Sequence, residues 1–252
     1  MDINSTYPDV KMTNCVNYGS ISGDVAGGIV GAGFGFVITG CINYGDITGG
    51  TIGGISGNGG VIVNCVNDAV VRGRGYAGGI VGAMGTVTQC INKGDIYGET
   101  YVGGIGGYQI DISNSINRGT VTSENIAGGI LAFGEGVSIS NVINEGTIIG
   151  GAVAGGLIGK AYCHDHGFIN TINDSYNSGE IRCSTGLEYG PVVGVLIGTL
   201  NNEQCFYISA VEGKEIGEQK AMEEIIEIMK TKWDQNIWDF DNLDENGNPT
   251  LK

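Results

Sequence analysis

The residues best suited to bind or transform a ligand cluster in one irregular stretch, KAYCHDHGF at 160–168. Cys163, His164, Asp165 and His166 place a thiol, two imidazoles and a carboxylate at four consecutive positions, and they include both histidines of the chain. Such donors suit zinc or another transition metal. Metal sites usually draw ligands from two separated segments, however, and no second Cys-x-x-Cys or His-x-x-x-His pair is present. Cys183 opens a second irregular stretch, CSTGLEYGP at 183–191, which could lie near the first. The four residues are therefore a candidate metal site, set against the simpler reading of a polar loop tip where insertions gather.

Other candidates are carboxylates. Asp46, Asp95 and Glu180 each stand three residues after a recurring Asn, a position filled elsewhere by Ser20, Val70, Thr120 and Thr147. Glycoside hydrolysis needs two carboxylates at a set separation. If equivalent positions stack, Asp46 and Asp95 lie two rungs, or about 9.6 Å, apart, just past the spacing for inversion. Both Trp lie in the tail, so the preceding stretch has no Trp platform for sugars, and Arg72 and Arg74 are alone in their repeat. A Ser or Cys nucleophile has only His164 and His166 to draw on. NLDENG at 242–247 has the flavour of a calcium loop, but it lacks the first Asp and the chain ends before the bidentate Glu. The expectation is a chain without a catalytic site or cofactor. The alternative is a carbohydrate-active enzyme, a polysaccharide lyase or glycoside hydrolase.

What would position these residues is a repeat. Asn17, Asn43, Asn67, Asn92, Asn117, Asn144 and Asn177 recur at steps of 26, 24, 25, 25, 27 and 33. Gly-Gly before Ile or Leu recurs from Gly27, Gly53, Gly78, Gly103, Gly128 and Gly155, at steps of 26, 25, 25, 25 and 27. Two markers with one period define an array. Apolar columns run beside the Asn: Met12, Ile38, Ile62, Val87, Ile112, Ile139 and Ile172 five before it, and Ile21, Ile47, Val71, Ile96, Val121, Ile148 and Ile181 four after. A third column stands one before it, from Val16 to Tyr176. β-Branched residues dominate, which favours strands, and no repeat holds enough helical periodicity for a strand–helix unit.

Each unit of about 25 residues is therefore one coil, and stacked coils place like strands side by side at ~4.8 Å. The predicted fold is all-β, a right-handed, single-stranded parallel β-helix (β-solenoid) of about seven coils, three short strands to each. The hand follows from the right-handedness of parallel crossovers. The Asn column is expected to form an amide ladder. The residues directly after the anchors, Tyr18, Tyr44, Lys93, Arg118 and Glu145, are mixed in type and are expected to be solvated.

Composition agrees. Glycine numbers 48 against three prolines, with no Gly-X-Y period, which excludes collagen. Hydrophobic residues make up 41% and charged ones 15%, a balance that suits a packed chain. A net charge of −15 makes nucleic acid a poor partner, and no apolar run approaches the ~20 residues of a membrane helix. The start, MDINSTYPDV, has neither a basic nor an apolar leader region and reads as part of a longer protein.

The phrase after each Gly-Gly carries a resemblance. Gly156-Leu157-Ile158-Gly159, Gly28-Ile29-Val30-Gly31 and Gly79-Ile80-Val81-Gly82, with strings such as NCVNYGSISG before them, resemble the GLUG-repeat family of bacterial surface and secreted proteins. The resemblance covers about residues 13–200. It implies an extracellular or cell-surface setting, a spacer or adhesin-type module within a larger chain, glycan or protein partners, and no catalytic motif.

Of the seven cysteines, Cys15, Cys41, Cys65 and Cys90 share the column two before the anchor, which continues as Ser115, Val142 and Ser175. Parallel Cβ vectors suit a disulfide badly, so free thiols at a small buried site are expected. Beyond 207 glycine thins out, and Ala221, Met222, Ile225, Ile226 and Met229 recur at helical spacing before Trp233. The expected division is a repeat domain over 1–207 and a helical segment over 208–252 that caps the last coil.

Overall fold

The computed structural model describes residues 10–162, 169–185, 188–197, 200–207 and 218–252. Short β-branched runs punctuated by glycine form a parallel β-solenoid. One winding reads Val71–Gly73, Tyr76–Gly78, Val81–Thr88 and Ile91–Asn92. That is four strands, one more than the sequence reading gives. In the first two windings the stretch after the anchor is one strand, Ile21–Gly27 and Ile47–Gly53. From the third winding onward a bend at positions such as Arg74-Gly75 divides it.

The strands build two sheets, both parallel throughout the described residues, of eighteen and twelve strands. Register follows the sequence columns. Asn17, Asn43, Asn67, Asn92, Asn117, Asn144 and Asn177 are paired rung on rung. The seven anchors bound six full turns, against the about seven coils expected, and the array runs on past Asn177, whose rung partner in the next winding is Tyr207. The column Ile38, Ile62, Val87, Ile112, Ile139 and Ile172 is likewise in register and buried. Each such side chain contributes about 1.5–3 kcal/mol by leaving water.

Three residues before every anchor the backbone turns left-handed: Asn14, Gly40, Asn64, Gln89, Asn114, Asn141 and Asp174 have φ between +46° and +64°. This single residue resets the alternation of facing. As a result Cys41 and Asn43 point inward and are fully buried, whereas Ile42 between them faces out. Asn, Gly and Asp tolerate this conformation best.

One helix, α1 (Met222–Lys232), follows the array. Glu223 and Glu224 in its first turn and Lys230 and Lys232 in its last suit the helix dipole, and Trp233, extended at φ −84° and ψ 145°, ends it. Its buried face is Ile225, Ile226 and Met229. These residues pack with Trp233 and Trp238 against Ile116, Ile143 and Tyr176. Those three are successive members of the outward column one before the anchor, so the helix lies along the flank of the rod. This corrects the expected cap over the last coil: an apolar outward column is a better partner for an amphipathic face than strand edges are. The end of the array instead gains a two-residue strand, Glu218–Gln219, paired in parallel with Phe206–Tyr207. A small antiparallel pair, Trp238–Asp239 with Thr250–Leu251, completes the tail. No helix among the described residues is long and apolar enough to cross a membrane.

Candidate functional site

The stretch carrying Cys163, His164, Asp165 and His166 lies outside the described residues. Cys183 is described, and its thiol donates to the Ala152 carbonyl at 3.3 Å. No cluster of three or more metal-binding side chains occurs among the described residues. The calcium-like turn is used internally: Asp244 Oδ1 accepts the backbone N–H groups of Asn246 and Asn248, both at 2.9 Å.

The candidate catalytic carboxylates hold coils together. Asp46 Oδ1 accepts the backbone N–H of Val70 at 3.2 Å, and Asp95 Oδ1 that of Thr120 at 2.9 Å. Each thus reaches across one rung to a donor in the next coil. Glu180 makes two bonds to Arg182, at 2.8 and 2.7 Å, which hold its carboxyl below the usual range.

The thiols behave the same way. Cys15, Cys41, Cys65, Cys90 and Cys183 are free. Cys41 Sγ accepts the Cys15 N–H at 3.2 Å, Cys65 Sγ that of Cys41 at 3.3 Å, and Cys90 Sγ that of Cys65 at 3.4 Å. Ser115 Oγ then takes the Cys90 N–H at 3.2 Å. Each group also donates to the carbonyl two residues back, as from Cys90 to Thr88 and from Ser115 to Ser113. Hydrogen bonding of this kind explains why Ser115 and Ser175 can stand in the same column as Cys15, Cys41, Cys65 and Cys90. Burial pushes the Cys41 thiol up to about 11 and that of Cys90 well above its ordinary value.

Two surfaces that sequence reasoning missed stand out. The first is an aromatic ladder: Tyr76 stacks on Tyr101 at 5.3 Å, Tyr108 on Phe133 at 5.4 Å, and Tyr76 meets Tyr108 at 4.6 Å. Lys160 lies 5.8 Å from the centre of Phe133. The rings spend their faces on one another, which strengthens the stack and leaves little face for a ligand.

The second is a groove of about 650 Å³ on the twelve-stranded sheet. One wall is the outward column Arg72, Tyr97, Thr122 and Ile149, paired in successive rungs. The other wall carries Arg74, Glu99 and Glu124, and the floor is Gly73, Gly98 and Ser123. The bend that splits the strands after Val71 makes the hollow, and the lining reaches Ser184, five rungs or roughly 19 Å along the rod. Arg72 lies 5.2 Å over the Tyr97 ring and 3.8 Å from Asp46, with both ion partners half exposed. The sequence signal was available as Glu99 and Glu124, both seven residues after an anchor, with Arg74 one repeat earlier.

The residues directly after the anchors do not share one fate. Tyr18 and Tyr44 stack at 5.2 Å and are exposed, as expected. Arg118 and Glu145 are instead covered by the tail, which corrects the expected solvated face. Arg118 Nε donates to Glu145 Oε2 at 3.2 Å, and its Nη2 donates to Asp244 Oδ2 at 3.0 Å. The Glu145 side chain is 6% exposed.

Neither a family model nor a curated protein matches the chain. Among solved structures, that of a proposed immunoglobulin A1 protease from Bacteroides ovatus is similar over 97% of this chain and 74% of that one, at 20% identity and a TM-score of 0.50. That likeness shows the β-solenoid fold alone.

Proposed function

We propose that this chain is a non-catalytic rod of the GLUG-repeat type, a spacer or adhesin-type module of a secreted or surface protein that holds a glycan strand in the groove beside Tyr97. The observation that carries the reading is the groove's lining, which spans five rungs and combines an aromatic ring and an aliphatic side chain on one wall with guanidinium and carboxylate groups on the other. A pyranose has the same two-sided character, with C–H faces for Tyr97 and Ile149 and hydroxyls for Arg74, Glu99 and Glu124. Two arginines share the groove with two glutamates, and Asp46 and Asp24 lie beside the arginines. The local charge therefore favours a neutral glycan over an acidic one. The Asp46 and Asp95 carboxylates, already bonded to backbone, serve the stack. A putting-together of sugar units in file would run along the rod, parallel to the stacking axis.

One observation favours a second reading, a retaining glycoside hydrolase. Glu99 and Glu124 are neighbours in one column, about one rung of ~4.8 Å apart, near the separation retaining enzymes use. Both are open to water, without the enclosed setting that a general acid needs. A glycan array combined with a reducing-sugar assay separates the two. Binding of neutral glycans that is lost in Tyr97→Ala, with no sugar released, supports the rod. Turnover that disappears in Glu99→Gln or Glu124→Gln supports the enzyme, and an array with no binder at all removes the adhesive role.

A further inference from the structure

The tail meets the rod where the hydrogen bonds do not close with every carboxyl ionised. Glu145 Oε2 accepts from Arg118, but its Oε1 is buried and finds no donor. Asp244, 12% exposed, comes from the tail turn and accepts from the other arm of Arg118. Glu245 lines the same cavity of about 360 Å³, and the Tyr176 ring lies one rung on, close enough for both carboxylates to act on its hydroxyl. Among the described residues lining this cavity, Arg118 is the one cation facing three acids. The Glu145 and Asp244 carboxyls are held side by side on the two arms of one guanidinium, that of Arg118, and two carboxyls so placed repel unless one of them carries a proton.

We infer that Glu145 and Asp244 form a proton-sharing latch that fastens the tail to the flank of the rod and loosens as the solution turns alkaline. With the proton on Glu145, its O–H donates to Asp244, and Arg118 balances the one remaining charge. Without it, two carboxylates confront each other in a site that water barely reaches. Burial raises the Glu145 carboxyl to about 7, with Arg118 opposing and Asp244 adding to the rise. Release of the tail would return it to the ordinary range near 4.5. The docked form therefore holds a proton that the released form lacks between these values. Docking is strongest below the lower one and weakens as pH rises through the upper, by a factor on the order of a hundred.

The test uses the full chain. Both of its Trp residues, Trp233 and Trp238, lie in the tail and are buried against the rod, so Trp emission and acrylamide quenching report docking, and far-UV circular dichroism reports the rod. In urea titrations from pH 5 to 8.5 the Trp midpoint is expected to fall as pH rises through about 7, ahead of any loss of the rod signal. Glu145→Gln, whose amide donates to Asp244 in place of the proton, is expected to stay docked and to lose the pH dependence. Asp244→Asn, which donates from the other side, provides a second variant with the same expectation. A flat wild-type profile overturns the latch. So does a profile that persists in Glu145→Gln, since His164 and His166 would then own it. Undocking of both variants at pH 6 overturns it as well.

Discussion

Gly79 lies flat against the side-chain amide of Asn92, so close that a Cβ there would collide with both that amide and the carbonyl oxygen of Gly104 in the next coil. The same contact joins Gly28 to Asn43, Gly54 to Asn67, Gly104 to Asn117 and Gly129 to Asn144. The two markers of the repeat keep one period because they touch. None of these glycines has a positive φ, so close approach, and not turn geometry, excludes a side chain.

Gly79→Ala should therefore destabilise the chain by on the order of 3 kcal/mol, the upper end of overpacking. Gly23→Ala, where a Cβ would meet nothing nearer than 3.7 Å, should be nearly neutral. Urea unfolding of the two variants checks this. Equal midpoints would reject the close-approach account.

The amide ladder runs unbroken from Asn17 to Asn177, each Nδ2 reaching the next Oδ1 at 2.7–2.8 Å. Asn92→Leu breaks it in the buried middle and strands polar groups on both sides, at a cost on the order of 3 kcal/mol. Asn17→Leu removes a half-buried first member with a neighbour on one side and should cost roughly 1 kcal/mol. Thermal melts of both variants test the difference.

Cys90→Ser should be close to neutral, because Ser115 already performs the same donation and acceptance one rung away. Cys90→Ala leaves the Cys65 N–H without its acceptor and should cost about 1–3 kcal/mol. In the native chain at pH 8, iodoacetamide should label the exposed Cys15 far faster than Cys41 or Cys90, whose thiols burial holds protonated. Peptide mapping by mass spectrometry reads each site separately, and comparable rates would show that the interior opens.

Trp238 is fully buried and donates from Nε1 to Asn114 Oδ1 at 3.2 Å. Its ring sits 4.5 Å from that of Trp233. Trp238→Ala should weaken tail docking by about 3–5 kcal/mol and leave the rod folded. Limited proteolysis checks this: the variant should lose the segment beyond 218 while the array survives. Simultaneous digestion of the array would show that the tail is needed for the rod as a whole.

Much of this architecture is legible in the sequence because stacking makes position along the repeat equivalent to position in space. Ile38 and Ile62 read as one column and are paired as one. The Asn ladder and the free thiols are legible for the same reason. The left-handed position was equally readable, since Asn14, Gly40, Asn64, Gln89, Asn114, Asn141 and Asp174 are mostly residues that favour it. What a column cannot reveal is what comes to lie on it. Val16 and Ile116 belong to one outward column, yet Val16 is 47% exposed and Ile116 is buried under the tail. The groove escaped for a similar reason: its walls belong to two columns, and only the bend between them makes a hollow.

Each anchor amide from Asn17 to Asn144 passes its donor forward to the next anchor, so the rod has an inherent direction and its two ends are chemically unlike. An insertion or deletion of one whole winding rejoins every file of side chains at once, whereas a partial one severs them all together. Such a molecule can change its reach in quantised steps with no redesign of its interior.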